Sequence, residues 1–249
     1  MVSSPFYGWA NGLQALPKRF HGEEAGVCVP DQDAEKWSVS VALDEVIPLH
    51  EVALAQWHSL AETRQMTQRY LRKADELICG LWGGRLDNEE QYLVQTELGE
   101  PPLFCLPIYV VTVGAGPDER VVYVGKTSSS HRFANGHHIA LKLHHPRFDG
   151  LQKRVYRCSV LLDIHDEYVA LEWVEPDTVA SVLLDCVESV LIHALQPELN
   201  TAKRRKPTVG KPVFVHVQNY AGNDLLNDLM LWHKDREPLT FVPAKNMGS

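Results

Sequence analysis

Pro107-Ile108-Tyr109-Val110-Val111 and Val121-Val122-Tyr123-Val124-Gly125-Lys126-Thr127 are two β-rich runs, separated by the turn-forming residues Gly114-Ala115-Gly116-Pro117-Asp118. Branched residues and a tyrosine in each run, with Gly and Pro between them, predict a β-hairpin. Pro107 fits the first position of a strand, where it removes a donor only at the end of the ladder. Side chains alternate across a strand, but the turn resets the register. The spacing of Tyr109 and Tyr123 therefore does not decide whether they share a face.

Outward from the hairpin, several elements are legible. Ser128-Ser129-Ser130 can cap a helix starting near His131, followed by the histidines His137, His138, His144 and His145. Val155 to Ile164 reads as a strand, and Val169 to Val174 as a weaker one. From Val179 to Leu195, apolar residues form one continuous stripe, predicting a helix over 178–195 with Asp177 as its cap and Pro197 beyond its end. Glu188 follows Val187 by about 100° on that helix, at the edge of the buried stripe. Pro212 to Gln218 alternates like a strand. Leu225 to Trp232 reads as a short amphipathic helix.

Upstream, residues 1–40 read as an arm whose aromatics (Phe6, Tyr7, Trp9, Trp37) dock onto the rest of the chain. Residues 49–82 have helical spacing and stop at Gly83-Gly84; a second helix covers Asn88 to Leu98. Gly99-Glu100-Pro101-Pro102 is the linker candidate. It divides the chain into an N-terminal arm and helical extension (1–100), a central domain (101–202), and a C-terminal basic loop, strand and helix (203–249).

The 249 residues can bury a substantial core, and 45% hydrophobic with 22% charged residues is a globular composition. No stretch of 18 apolar residues and no secretory leader pattern occurs, so neither a membrane span nor export is expected. Five scattered cysteines without a Cys-x-x-Cys point to free thiols in a reducing cytoplasm. The net charge of -8 argues against indiscriminate coating of nucleic acid. Yet residues 120–160 hold eight Lys and Arg against Asp149 alone, which suits a confined phosphate-contacting surface. The plain alternative is a solvated charged face.

In chain order come Tyr109, Tyr123-Val124-Gly125-Lys126, Arg132, Glu188, and Asn200 shortly after Pro197. This set, spanning roughly residues 103–202, resembles the GIY-YIG nuclease superfamily. Pro107 stands where the family usually has Gly, the loop between the tyrosines is slightly long, and the Arg132–Glu188 segment suggests an insertion around 137–175. The resemblance implies an α+β fold, a small three-stranded sheet flanked by helices, here with N-terminal helical and C-terminal extensions. It also implies an Mg²⁺- or Mn²⁺-dependent endonuclease that hydrolyses DNA phosphodiesters. Tyr109 or Tyr123 would be the general base, with Tyr109 favoured. Arg132 would grip the scissile phosphate and Lys126 would orient water or the tyrosine. His138, beside His137, would assist, Glu188 would hold the metal, and Asn200 would brace the site.

The residue types suit that chemistry. Phosphodiester hydrolysis needs a proton acceptor and stabilisation of charge on the phosphoryl oxygens. Arg forks onto phosphate bidentately. A single carboxylate can hold a hard divalent cation that keeps most of its waters. A tyrosine needs a nearby cation to act as a base. Lys203, Arg204, Arg205 and Lys206, directly after Asn200, are expected at the DNA backbone. Size and flanking elements suit a stand-alone restriction or defence nuclease, acting on double-stranded DNA as a homodimer. Two other classes remain: a catalytically inactive nucleic-acid-binding or assembly module that keeps the fold, and a zinc-binding regulator built on the histidines.

Overall fold

In a computed structural model of the chain, the described residues are 5–21, 26–30, 36–80, 84–127, 138–164, 167–205, 212–233 and 240–242. The predicted hairpin is present. β2 (Ile108–Val113) pairs antiparallel with β3 (Arg120–Lys126). At the turn, Gly114 has φ +96, and a Cβ there would lie 2.5 Å from the Asp118 carbonyl oxygen, so only glycine fits. The register answers the question left by the sequence. Tyr109 lies opposite Gly125, and Val111 opposite Tyr123, so both tyrosines point to the same face.

The sheet is larger than the expected three strands. β1 is Trp37–Pro48, β4 Lys153–Ile164, β5 Glu167–Ala170, β6 Val213–Asn219, β7 Leu229–His233 and β8 Thr240–Val242. Seven strands lie in the order β3-β2-β4-β1-β6-β7-β8. The twelve-residue β4 is paired along one edge by β1, and along the other by β2 and then β5. The expected unit β3-β2-β4 is thus one end of a mixed sheet in which β1 and β6 run parallel. Strands from both sides of the expected central domain complete it. β1 carries a period-two pattern, with Val39, Val41 and Leu43 buried, and its 3-10 continuation Leu49–Glu51 replaces the start of the expected 49–82 helix.

The first long helix, α2, is Leu60–Ile78. It begins where Ser59 and Glu62 form a reciprocal capping box, which satisfies two otherwise unpaired amide donors. Leu54, expected within it, is 84% exposed. α3 (Asn88–Leu98) matches the expectation and has its own Asp87–Glu90 box. The clearest helix, α5, is Asp177–Leu195; Asp177 pairs with Arg64 of α2 at 2.9 Å rather than capping. On length and composition α5 could cross a membrane (mean hydropathy 1.7), and half of that stretch is buried inside the molecule. α1 is Pro5–Ala10 and α4 His138–Lys142.

The expected helix over Leu225 to Trp232 is instead a turn leading into β7. Leu226 and Asp228 have φ +54 and +55, which an α-helix excludes. Asn219 and Asn223 build the turn, with Asn219 Nδ2 donating to the Leu225 carbonyl at 2.7 Å and Leu225 N donating to Asn223 Oδ1 at 3.1 Å. Leu231 then pairs with Val215 and is fully buried.

Two cores sandwich the sheet. On one face Val110, Val124, Val41 and Cys158 meet Leu183, Val187 and Leu191 of α5 and Leu71 of α2. The arm joins this side, with Phe6 and Phe20 packed edge-on against Trp173 at 5.4 and 4.5 Å. On the other face Tyr109, Val111 and Val155 meet Ile139 and Leu143 of the α4 region, Phe148 and Trp57. Each such aliphatic side chain contributes about 1.5–3 kcal/mol when fully buried.

Candidate active site

The Tyr109 ring lies against the backbone of Gly125. A Cβ on Gly125 would fall 2.5 Å from both Cζ and the phenol oxygen of Tyr109, and 2.7 Å from Cε1 of Tyr123. The two rings stack with centroids 5.9 Å apart and planes 29° apart. The upstream tyrosine and the Tyr-x-Gly run therefore form one packed unit. Tyr109 is 0% exposed, whereas Tyr123 is half-buried, so of the two candidate bases Tyr123 keeps access to solvent. Trp57 meets Tyr109 edge-on at 6.0 Å. Arg157, directly opposite Tyr109 on β4, lies over Trp57 at 5.1 Å, and its Nε donates to Glu45 at 2.6 Å. Sequence reasoning did not join Trp57, Arg157 and Glu45 to Tyr109; the link between Glu45, Arg157 and Tyr109 is the register of β4 against β1 on one side and β2 on the other.

β3 is the outer strand, and Asn200 closes part of its open edge. Val124 N donates to Asn200 Oδ1 at 2.9 Å, and Asn200 Nδ2 donates to the Val124 carbonyl at 2.8 Å. Leu199 N also donates to the Val122 carbonyl at 2.9 Å. An amide side chain offers both donor and acceptor, which is why Asn can imitate one rung of a ladder.

Lys126 ends β3 and, three residues from Tyr123, points to the helix face of the sheet. Its ammonium pairs with Asp185 of α5. Lys203 Nζ lies 2.6 Å from Glu188 Oε2 and 3.6 Å from Asp185 Oδ1. The Glu188 side chain is 13% exposed, at the margin of the buried stripe as its helical position implied. Burial works against the charged form of Asp185, yet Lys126 and Lys203 outweigh it and hold the carboxyl below its ordinary range. The site candidates thus flank β3: Tyr109 and Tyr123 on one face, Lys126 and Glu188 on the other, and Asn200 along the edge. Arg132, His137 and Lys206 lie outside the described residues, as do the 128–130 cap and the side chain of His138.

The basic surface expected from residues 120–160 is largely paired internally. Arg120 and Arg147 both reach Glu198, at 3.5 and 3.2 Å, Arg154 pairs with the buried Glu119 at 2.8 Å, and Arg157 with Glu45. The more exposed pairs to Glu198 are each worth roughly 0–1 kcal/mol, whereas the pair to the buried Glu119 is held in a drier setting. In the Lys203–Lys206 run, Lys203 turns inward, Arg204 is half-buried with Nε lacking a partner, and Arg205 is exposed. Among the described residues no group of three His, Cys, Asp or Glu is arranged to hold a metal ion, and His144 and His145 are exposed. Glu188, the expected metal ligand, is paired with the Lys203 ammonium, with Asp185 beside it.

No family model matches this chain, and no curated protein or solved structure matches it either.

Proposed function

We propose that the chain is a divalent-metal-dependent nuclease of GIY-YIG type that hydrolyses phosphodiester bonds in DNA. The observation that carries this reading is the fit of the stacked Tyr109–Tyr123 pair onto Gly125, which leaves no room for a Cβ. It joins three residues, separated by the hairpin turn, that the sequence resemblance had grouped.

The tyrosines and the Lys126–Glu188 group lie on opposite faces of β3, so the substrate would have to pass the Lys126 end of the strand to meet both. Tyr123 accepts the proton from the attacking water, because it keeps access to solvent while Tyr109 is enclosed and supports it. Arg132 and His138, assigned from the sequence resemblance alone, would grip the scissile phosphate and assist. Lys126 supplies positive charge beside the strand end, and Asn200 fixes the strand that carries Tyr123. Glu188, with Asp185 beside it, would hold Mg²⁺ or Mn²⁺, which when bound stabilises charge on the phosphoryl oxygens. A restriction or defence role on duplex DNA, with two copies each cutting one strand, extends this reading.

A second reading is favoured by the Lys203–Glu188 pair: a module that keeps the fold and binds nucleic acid without cutting it. Incubation with plasmid, single-stranded DNA and RNA, in Mg²⁺ and in EDTA, separates the two. Metal-dependent cleavage with uniform end chemistry supports the nuclease. Binding without cleavage in any metal supports the module.

A further inference from the structure

A cavity of about 250 Å³ lies at the N-terminal end of β2. Its walls come from residues 56–58 ahead of α2, from the first turns of α2, and from residues 102–106 leading into β2. Leu106 stands two residues before Ile108, which pairs with Lys126, so the cavity is at the strand end where the two faces of the sheet meet. Trp57 belongs to the core on the tyrosine face, whereas α2 packs into the core on the other face. Arg157 forms part of the wall and lies over the Trp57 ring at 5.1 Å, held there by its bond to Glu45.

The lining selects a class of ligand. Sites for drug-sized ligands span about 300–1,000 Å³, so this smaller one suits a single planar ring system. Phe104 supplies a half-buried aromatic face and the buried Trp57 the floor, while the apolar Met66 and Leu103 are 37% and 66% exposed. Gln56 and His58 add an amide and an imidazole, groups that hydrogen-bond the edge of a heterocycle. Among the described residues no carboxylate lines the cavity. A phosphodiester strand therefore meets no like charge there, and a cationic ligand finds no counter-ion.

Resting on the reading of the protein as a nuclease, we propose that this cavity receives one base of the substrate strand, turned out of its stack as the strand passes the Lys126 end of β3. The base lies against Phe104 with its edge towards Gln56 and His58. Proteins that take a base out of the stack hold it in this manner, between aromatic and apolar side chains with hydrogen bonds to its edge. Seated there, the base fixes the register of the strand beside the tyrosine pair, and cleavage acquires a preference for the base at that position.

The test is photocrosslinking of the full chain, in EDTA, to a short single strand of DNA with 5-iodouracil at its centre, because extrusion costs least from an unpaired strand. Adducts are mapped by mass spectrometry, and affinity is read by fluorescence anisotropy. The expected adduct is on Trp57, Met66 or Phe104. Phe104→Ala should remove it and weaken binding by about fivefold or more, the worth of stacking one base on an aromatic ring. Phe104 also meets Trp173 edge-on at 5.5 Å, so thermal unfolding checks that variant. If it fails to fold, Met66→Trp, which fills the mouth from an exposed position, is read by the same criteria. Adducts only elsewhere, no adduct, or a folded variant that binds as the parent does overturns the proposal. Labelling of the cavity by free 5-iododeoxyuridine as efficient as by the strand overturns the assignment to a substrate base. Parallel cleavage assays in Mg²⁺ keep the two claims apart. An adduct in the cavity without cleavage supports this site and counts against the nuclease. Cleavage by the parent that Phe104→Ala leaves unchanged, with no adduct in the cavity, overturns this proposal and leaves the nuclease standing.

Discussion

Tyr109 and Gly125 face each other across the β2–β3 pair, and the tyrosine ring fills the space where any other residue at 125 would carry its Cβ. Gly125 has no positive φ, so the requirement for glycine here is steric and not conformational.

Gly125→Ala should therefore destabilise the protein by about 1–3 kcal/mol, the usual cost of forcing extra volume into a packed site. For a chain of this size each kcal/mol lowers Tm by roughly 2–4 °C. In a Tyr109→Leu background the same substitution should cost less, because the closer of the two rings it strikes is gone and only the Tyr123 ring, 2.7 Å from the new Cβ, remains. Equal costs in both backgrounds, measured by thermal unfolding, would refute the contact as the cause.

Asn200→Ala removes the side-chain rung on β3 and leaves both Val124 backbone groups unpaired at a buried edge. The expected cost is about 1–3 kcal/mol, and the specific sign is faster hydrogen exchange at the Val124 amide. Unchanged protection of Val124 alongside lost stability would mean that Asn200 acts elsewhere.

Much of this end of the molecule was legible in the sequence, and the reasons are local. The hairpin has its turn residues, α3 its Asp87–Glu90 box, and α5 a stripe long enough to fix both period and face. β1 escaped despite the alternation of Val39, Val41 and Leu43, because it lies between a Gly- and Pro-rich arm and a run with helical spacing. Its parallel partner β6 is far away in the chain, and no local pattern announces such a pairing. β7 escaped because Leu225 to Trp232 spaces its apolar residues as a helix would, and the left-handed Leu226 and Asp228 are invisible in composition. The same holds for the candidate site. The place of Glu188 at the margin of the α5 stripe was legible from the helix period, but four consecutive basic residues suggest an outward-facing loop. Only the left-handed backbone of Lys203 turns it inward to Glu188.

Glu172 gives the protein a pH dependence. Its carboxyl is fully buried and is pushed up to about 7 by desolvation, against the opposing Cys105 amide at 3.0 Å and the nearby Arg64. A carboxyl raised in the folded state adds stability that is fully present below its unfolded value of 4.5 and is lost as pH rises through about 7. That loss is on the order of 3 kcal/mol, at about 1.4 kcal/mol per pKa unit. Glu172→Gln should flatten stability between pH 5 and 8, on the order of the range this carboxyl titrates, and raise Tm at the alkaline end. Denaturation curves with the same pH slope in both proteins would contradict this.

The basic loop should divide by residue. In EDTA, Arg205→Ala should lower the slope of log DNA affinity against log salt by about 0.9, the value for one lost phosphate contact. Lys203→Ala should leave that slope unchanged, because Lys203 is engaged with Glu188. Fluorescence-anisotropy titrations on duplex DNA measure both; an equal effect of the two substitutions would place Lys203 on the DNA without metal.

The most direct test of the nuclease is the single-turnover cleavage rate of Glu188→Gln in Mg²⁺ beside the parent protein, with thermal unfolding of the same preparations. Glutamine keeps the shape and an acceptor for Lys203, which also retains Asp185, so the protein should still fold, and thermal unfolding checks this. A neutral amide is a poor ligand for a hard cation, and losing several kcal/mol of charge stabilisation slows cleavage by roughly a thousandfold or more. A folded Glu188→Gln protein that cuts DNA at close to the parent rate, or a parent that cuts none, would contradict the account.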